Sequence, residues 1–111
     1  MNNAHTSLSI LPAHLAMVRA ILTTHVPNHD VWAFGSRVAG SAKEFSDLDL
    51  VIIGEKPLSI AVHANLVDDF SESDLPYKVD VIDWATTDAS FRQIIEQQYI
   101  VVQHAVTWRQ P

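Results

Sequence analysis

Asp47 and Asp49 stand one residue apart at the head of a strongly apolar run, closely preceded by Gly35-Ser36, in the stretch FGSRVAGSAKEFSDLDLVII. On a strand, residues i and i+2 share a face about 7 Å apart, so these two carboxylates are co-facial. Close carboxylates repel, and burying them uncompensated raises at least one pKa. Water or a hard cation with oxygen ligands relieves that. Magnesium suits the task, because it takes one or two carboxylates, keeps waters and completes its shell with phosphate oxygens. A D-x-D pair alone is weak, since aspartates start strands and loops in many proteins and most are solvated. The combination carries the weight. A later strand supplies Asp80 near its start and Asp83 at its end, and if it lies parallel to the second strand, Asp80 falls level with Asp47 and Asp49. The first strand stops at Gly35, which brings backbone N–H groups and the Ser36 hydroxyl to the same edge, where they suit phosphate. Glycine there lets the backbone approach a ligand closely.

The elements that position these residues follow from periodicity and punctuation. Leu11, Leu15, Val18 and Leu22 recur at helical spacing, with Pro12 in the first turn and Pro27-Asn28 closing the segment. Asp30 to Phe34 reads as a buried strand, and Gly35, Ser36, Gly40 and Ser41 then demand a tight turn with at most a short helix. A second strand is expected from about Asp47 to Ile53. Ser59 caps a helix to about Ser71, with Ile60, His63, Val67 and Phe70 on one face, and Tyr77 to Ala85 alternates as a third strand. Thr86 or Thr87 caps a last helix carrying Phe91, Ile94, Ile95, Tyr99 and Val102, although its YIVV run has strand propensity. The expected fold class is α/β (α+β), a small mixed three-stranded sheet packed by helices. One domain is expected over residues 1–111, with a core of about 10–103 and tails at 1–8 and 104–111.

Composition bounds the partners. Thirteen acids against seven Lys and Arg give a net charge of −6 with no basic cluster, which argues against a broad nucleic-acid face. Cysteine is absent, the N-terminus lacks a signal-peptide pattern and no apolar run reaches membrane-spanning length, so the chain reads as cytoplasmic. No Gly-Lys-Ser or Gly-Lys-Thr supports a Walker loop. The six histidines, His5, His14, His25, His29, His63 and His104, lack metal-ligand spacing. Trp32 and Trp84 read as core, Trp108 as docking on the domain or on a partner, and the Asp68, Asp69, Glu72 and Asp74 run as a solvated helix end. Ser46 reads as turning the chain into the second strand.

GSRVAGSAKEFSDLDL resembles the Gly-Ser, ten residues, Asp-x-Asp signature of the DNA polymerase beta-like nucleotidyltransferase superfamily. Length and strand order are similar to its minimal nucleotidyltransferases, small proteins commonly encoded beside a HEPN-domain partner as its antitoxin. The resemblance implies a polymerase beta palm-like fold in which Asp47, Asp49 and Asp80 are catalytic ligands of two magnesium ions, with ATP as substrate and Gly35 and Ser36 at its phosphates. Asp80 matches better than Asp83, because the family acid lies early in its strand after an apolar residue, as Val79 is here. Family members often carry arginine or lysine where this chain has Ala39. Arg37 or Lys43 is left to take that phosphate contact, and both read equally well as solvated charges. The implied activity is transfer of AMP from ATP to a hydroxyl, a tyrosine, of a HEPN-type toxin in a hetero-oligomer. Little in 111 residues remains to bind a large acceptor, so the acceptor brings its own surface. Two readings compete: a non-catalytic antitoxin that neutralises by contact, and a nucleotidyltransferase acting on a small molecule or RNA.

Overall fold

A computed structural model describes residues 7–106. The elements are α1 (Pro12–His25), β1 (Val31–Phe34), α2 (Ser36–Ala39), β2 (Leu48–Ile52), α3 (Ile60–Glu72), β3 (Val79–Asp83), a 3-10 turn (Trp84–Thr86), α4 (Ala89–Gln97) and β4 (Ile100–Gln103). Pro12 opens α1, where its missing N–H would have had no intrahelical partner. Ser59 caps α3 as its position suggests, its hydroxyl accepting from Val62 N at 3.2 Å.

The sheet runs β3-β2-β1-β4. β1 and β2 pair antiparallel, β2 and β3 pair parallel with α3 as the crossover, and β4 adds antiparallel to the free edge of β1. Alternation along the strands separates two faces. On the back face Val31, Ala33, Leu48, Leu50 and Ile52 meet Val18 and Leu22 of α1 and Leu66 and Phe70 of α3, forming the main core. On the front face the aromatic residues form a thinner layer. Trp32 stacks on Tyr99 with ring centroids 4.0 Å apart and meets Trp84 edge-on at 5.4 Å, while Phe34 meets Phe91 edge-on at 5.7 Å. Trp32 and Trp84 therefore pack, as expected of them. Among the described residues no helix is long and apolar enough to cross a membrane.

Three expectations are corrected. The sheet has four strands rather than three, because the YIVV run leaves the last helix at Gln98 and forms most of β4. Its β-branched residues favour extended backbone, and β1 offers an unpaired edge. Long-range bonds hold it there: Gln103 Nε2 donates to Val26 O and His29 O, both at 2.9 Å, and Arg19 Nε donates to Val102 O at 3.1 Å. The buried stripe of α3 is Val62, Leu66 and Phe70 rather than the face containing Ile60 and Val67, since Ile60 is 90% exposed and Leu66 fully buried. Last, Asp88 caps α4, accepting from Phe91 N at 2.8 Å, while Thr87 Oγ1 donates to Asp83 O at 2.7 Å and closes the 3-10 turn. His5 and Trp108 lie outside the described residues.

The α3 correction is testable by urea denaturation. Leu66→Ala is expected to cost about 2–5 kcal/mol, whereas Ile60→Ala is expected to change stability by less than about 0.5 kcal/mol.

Candidate active site

The register places the acids. Asp49 is the second residue of β2, opposite Phe34 on one side and level with Asp80 of β3 on the other. Residues level across neighbouring strands share a face, so Phe34, Asp49 and Asp80 form one row on the front of the sheet. Asp47 immediately precedes β2 and is exposed, and the next residue's N–H joins the two strand starts, Leu48 N donating to Lys78 O at 2.9 Å. Asp83 lies at the far end of β3, level with Ile52, where its Oδ1 accepts from Leu58 N at 3.3 Å. The parallel arrangement thus brings Asp80, and not Asp83, beside Asp49.

Gly35 completes the row from the side. Its φ is +83°, a conformation L side chains rarely adopt, and a Cβ added there would collide with Asp49 Oδ2. Glycine is needed twice over, for the backbone conformation and for the space the carboxylate occupies. From Gly35 the chain enters α2, a single turn in which Gly35 O accepts from Val38 N at 3.0 Å and Ala39 N at 2.9 Å, closed by Gly40 in the left-handed conformation. The first N–H groups of that turn have no acceptor within it. Ser36 stands at its start, beside the row of acids.

Asp49 is under electrostatic strain. Burial first, then the charges of Asp80 and Asp47, push its pKa from 3.8 to about 6. Asp80 has a local counter-charge, Lys78 Nζ at 3.4 Å, but that lysine is mostly exposed and the pair is weak. Among the described residues no three His, Asp or Glu side chains converge tightly enough to hold a metal unaided. The donor set nonetheless fits magnesium: all-oxygen, doubly repelled, and lacking the further ligands that substrate phosphates and water provide. Asp47, Asp49 and Asp80 are the residues that would hold it.

Over Asp49 and Gly35 opens a cavity of about 580 Å³, walled by Phe34 and Ala39 and by Phe91, Ile94, Gln97 and Gln98 along one face of α4 and its C-cap. No motif marks these four residues of the α4 face in the sequence. The available signal was amphipathic, since Phe91 and Ile94 stay exposed while Ile95 is buried. Two other cavities, of about 490 and 670 Å³, lie away from the acids.

The expectation that Arg37 reaches phosphate is not met. Only 5% exposed, it turns away from the cavity and donates to Ser9 O, Glu44 O and Ser46 O, each at 2.9 Å, with its guanidinium 3.9 Å over the Tyr77 ring. Burial raises the Tyr77 pKa, and Arg37 partly offsets this. Lys43 is exposed and lies on the loop Arg37 holds. Ser46 does turn the chain into β2, its Oγ accepting from Lys43 N at 2.8 Å.

Residues 18–105 match the protein family described as polymerase beta, nucleotidyltransferase. The chain belongs to this family. It is 54% identical over 96 residues to the probable protein adenylyltransferase MntA of Haemophilus influenzae, spanning 86% of this chain and 84% of that protein. The fold is also that of two solved complexes. A toxin–antitoxin structure with AMP-PNP matches with a TM-score of 0.69 at 19% identity, covering 83% of this chain and 74% of that one. A tri-AMPylated Shewanella oneidensis HEPN toxin in complex with an MNT antitoxin matches with a TM-score of 0.63 at 17% identity, covering 84% and 71%. The nucleotidyltransferase fold reaches β4, so the fourth strand belongs to the matched region.

Two predictions follow from this geometry. Because folding raises the Asp49 pKa, the folded chain holds that proton more tightly than the unfolded chain, and its contribution to stability falls as pH rises from about 4 to about 6. Without metal, Asp49→Asn is expected to exceed wild type by about 1–2 kcal/mol above pH 6, after allowance for solvent screening. The gap should close below pH 4 in urea titrations with chelator. Gly35→Ala is expected to cost about 1–3 kcal/mol in the same assay and to abolish nucleotide-dependent stabilisation.

Proposed function

We propose that this nucleotidyltransferase is a magnesium-dependent protein adenylyltransferase that moves AMP from ATP to a tyrosine hydroxyl of a HEPN-type toxin and so acts as its antitoxin. The carrying observation is Asp49, level with Asp80 and beside Gly35, lining a cavity large enough for a nucleotide, with Asp47 just ahead of its strand. Its likeness to MntA supports the choice of AMP and of a protein acceptor, and the complexes that share its fold support a HEPN partner in a hetero-oligomer. The site lies within one catalytic domain and meets the partner's acceptor in the cytoplasm.

In this reading the backbone N–H groups at Gly35-Ser36 and the Ser36 hydroxyl bind and orient the triphosphate. Phe34, Phe91 and Ile94 exclude water from one side of the cavity. The acceptor oxygen bonds to the α-phosphorus in line with the leaving oxygen, the α–β bridging bond breaks, and pyrophosphate departs. Asp80, on the outer strand, takes the acceptor proton or passes it to water. Asp47, Asp49 and Asp80 would hold magnesium, which would supply charge neutralisation at the phosphates and lower the pKa of the acceptor hydroxyl.

One observation favours a second reading. Ala39 lines the cavity where a cation would assist phosphate, and Arg37 is committed elsewhere. On that reading the chain neutralises its partner by contact alone. Intact-mass measurement of the co-purified partner after ATP and magnesium separates the two. An adenylyl adduct is expected with wild type and a loss of about two orders of magnitude or more in its rate with Asp49→Asn. No adduct, together with full neutralisation by Asp47→Asn and Asp49→Asn, sinks the enzymatic reading.

A further inference from the structure

We propose that Arg37 is a positioning residue that sets the spacing between the carboxylates from two separate chain segments and thereby the site's affinity for metal and nucleotide. The inference rests on the nucleotidyltransferase reading above. Asp47 and Asp49 arrive through the 43–46 loop, and Asp80 arrives from the start of β3. The β2–β3 ladder begins at Leu48 paired with Val79, and Leu48 N donates to Lys78 O just after Asp47, so the backbone ties the strand starts on that side and leaves the 43–46 loop before Asp47 in need of a further tie. Arg37 supplies that tie. Its Nε bonds the carbonyl of Ser46, the residue directly before Asp47, and Nη2 bonds Glu44 O in the same loop. Its face covers the ring of Tyr77, three residues before Asp80, and Tyr77 Oη is paired with His14 Nδ1 at 3.3 Å. Nη1 closes the arrangement on Ser9 O at 2.9 Å.

One side chain thus grips the approach to Asp47 with its edge and the approach to Asp80 with its face. Only a planar fork with donors in fixed directions does both, and a lysine ammonium cannot. Burying a cation at 5% exposure is costly. Among the described residues its partners are carbonyls and a ring rather than a carboxylate. An apolar residue would fill the same space without that cost, which points to geometry as what the arginine provides.

The test is Mn²⁺ binding, in place of magnesium, followed by electron paramagnetic resonance on the full chain with a non-hydrolysable ATP analogue, well below the unfolding temperature. Arg37→Lys is expected to weaken Mn²⁺ binding about tenfold. Arg19→Lys is the structural control: that arginine bonds Val102 O on β4, away from the acids, and its replacement should leave Mn²⁺ affinity unchanged. Tyr77→Leu removes the ring and its hydroxyl contact with His14, and keeps the hydrogen bonds that Arg37 donates to Ser9, Glu44 and Ser46. It is expected to weaken binding about threefold, and it decides the matter should Arg37→Lys not fold. Wild-type affinity in the Arg37 and Tyr77 variants overturns the inference, as does equal weakening in the Arg19 control. A wild-type chain that binds no Mn²⁺ with nucleotide instead overturns the nucleotidyltransferase reading beneath it.

Discussion

Strand register puts like charges side by side at this site. Pairing β2 with β3 in parallel sets Asp49 level with Asp80, while the β1 hairpin return sets it against Phe34 and Gly35. Neither strand can slip by one residue to separate the charges, because a slip would turn Leu48, Leu50 and Ile52 out of the core. The hydrophobic back face therefore enforces the electrostatic conflict on the front face. The other local features accommodate it: a glycine where any Cβ would meet the carboxylate, a one-turn helix that turns its arginine away from the acids, and a crossover helix that permits parallel pairing.

Much of this was legible because the decisive signals are local. Gly35-Ser36 and the Asp-x-Asp are close in sequence, and a two-residue period puts both aspartates on one face of an expected strand, of which the structure keeps Asp49 within β2 and Asp47 just ahead of it. The level of Asp80 required only that the third strand run parallel to the second. Arg37 was not legible. Its acceptors are main-chain carbonyls of Ser9, Glu44 and Ser46, which have no residue-type signature, and its ring partner lies 40 residues away at Tyr77. A surface arginine and a buried one are spelled alike. β4 was missed for a different reason: Phe91, Ile94 and Ile95 keep helical spacing up to Gln97, and only the vacant edge of β1 decides that the following β-branched run is extended.

The two faces of the sheet divide the work. The back face carries nearly all the fully buried aliphatic residues, packed by α1 and α3, and the front carries half-buried aromatic residues around a charged row. Stability removed from the front by burying Asp49 among other acids is offset by the back. A bound cation reverses the balance, turning a repulsive row into a ligand set. Such a site is tolerable in a small protein only where a well-packed core lies directly beneath it.

β4 has a consequence for the order in which the chain acquires its function. The β1–β2 hairpin and the β2–β3 crossover join segments that are near in sequence, whereas β4 reaches back to β1 and is clamped through Gln103 to Val26 and His29. Contacts across such separations form late, because the entropy of closing the long intervening chain opposes them until the rest is in place. During synthesis the acids are expected to align before the α4 wall over Asp49 is in place. The arrival of Phe91 and Ile94 and the closing of the sheet edge are then the steps expected last, and they turn an open groove over Asp49 into a cavity.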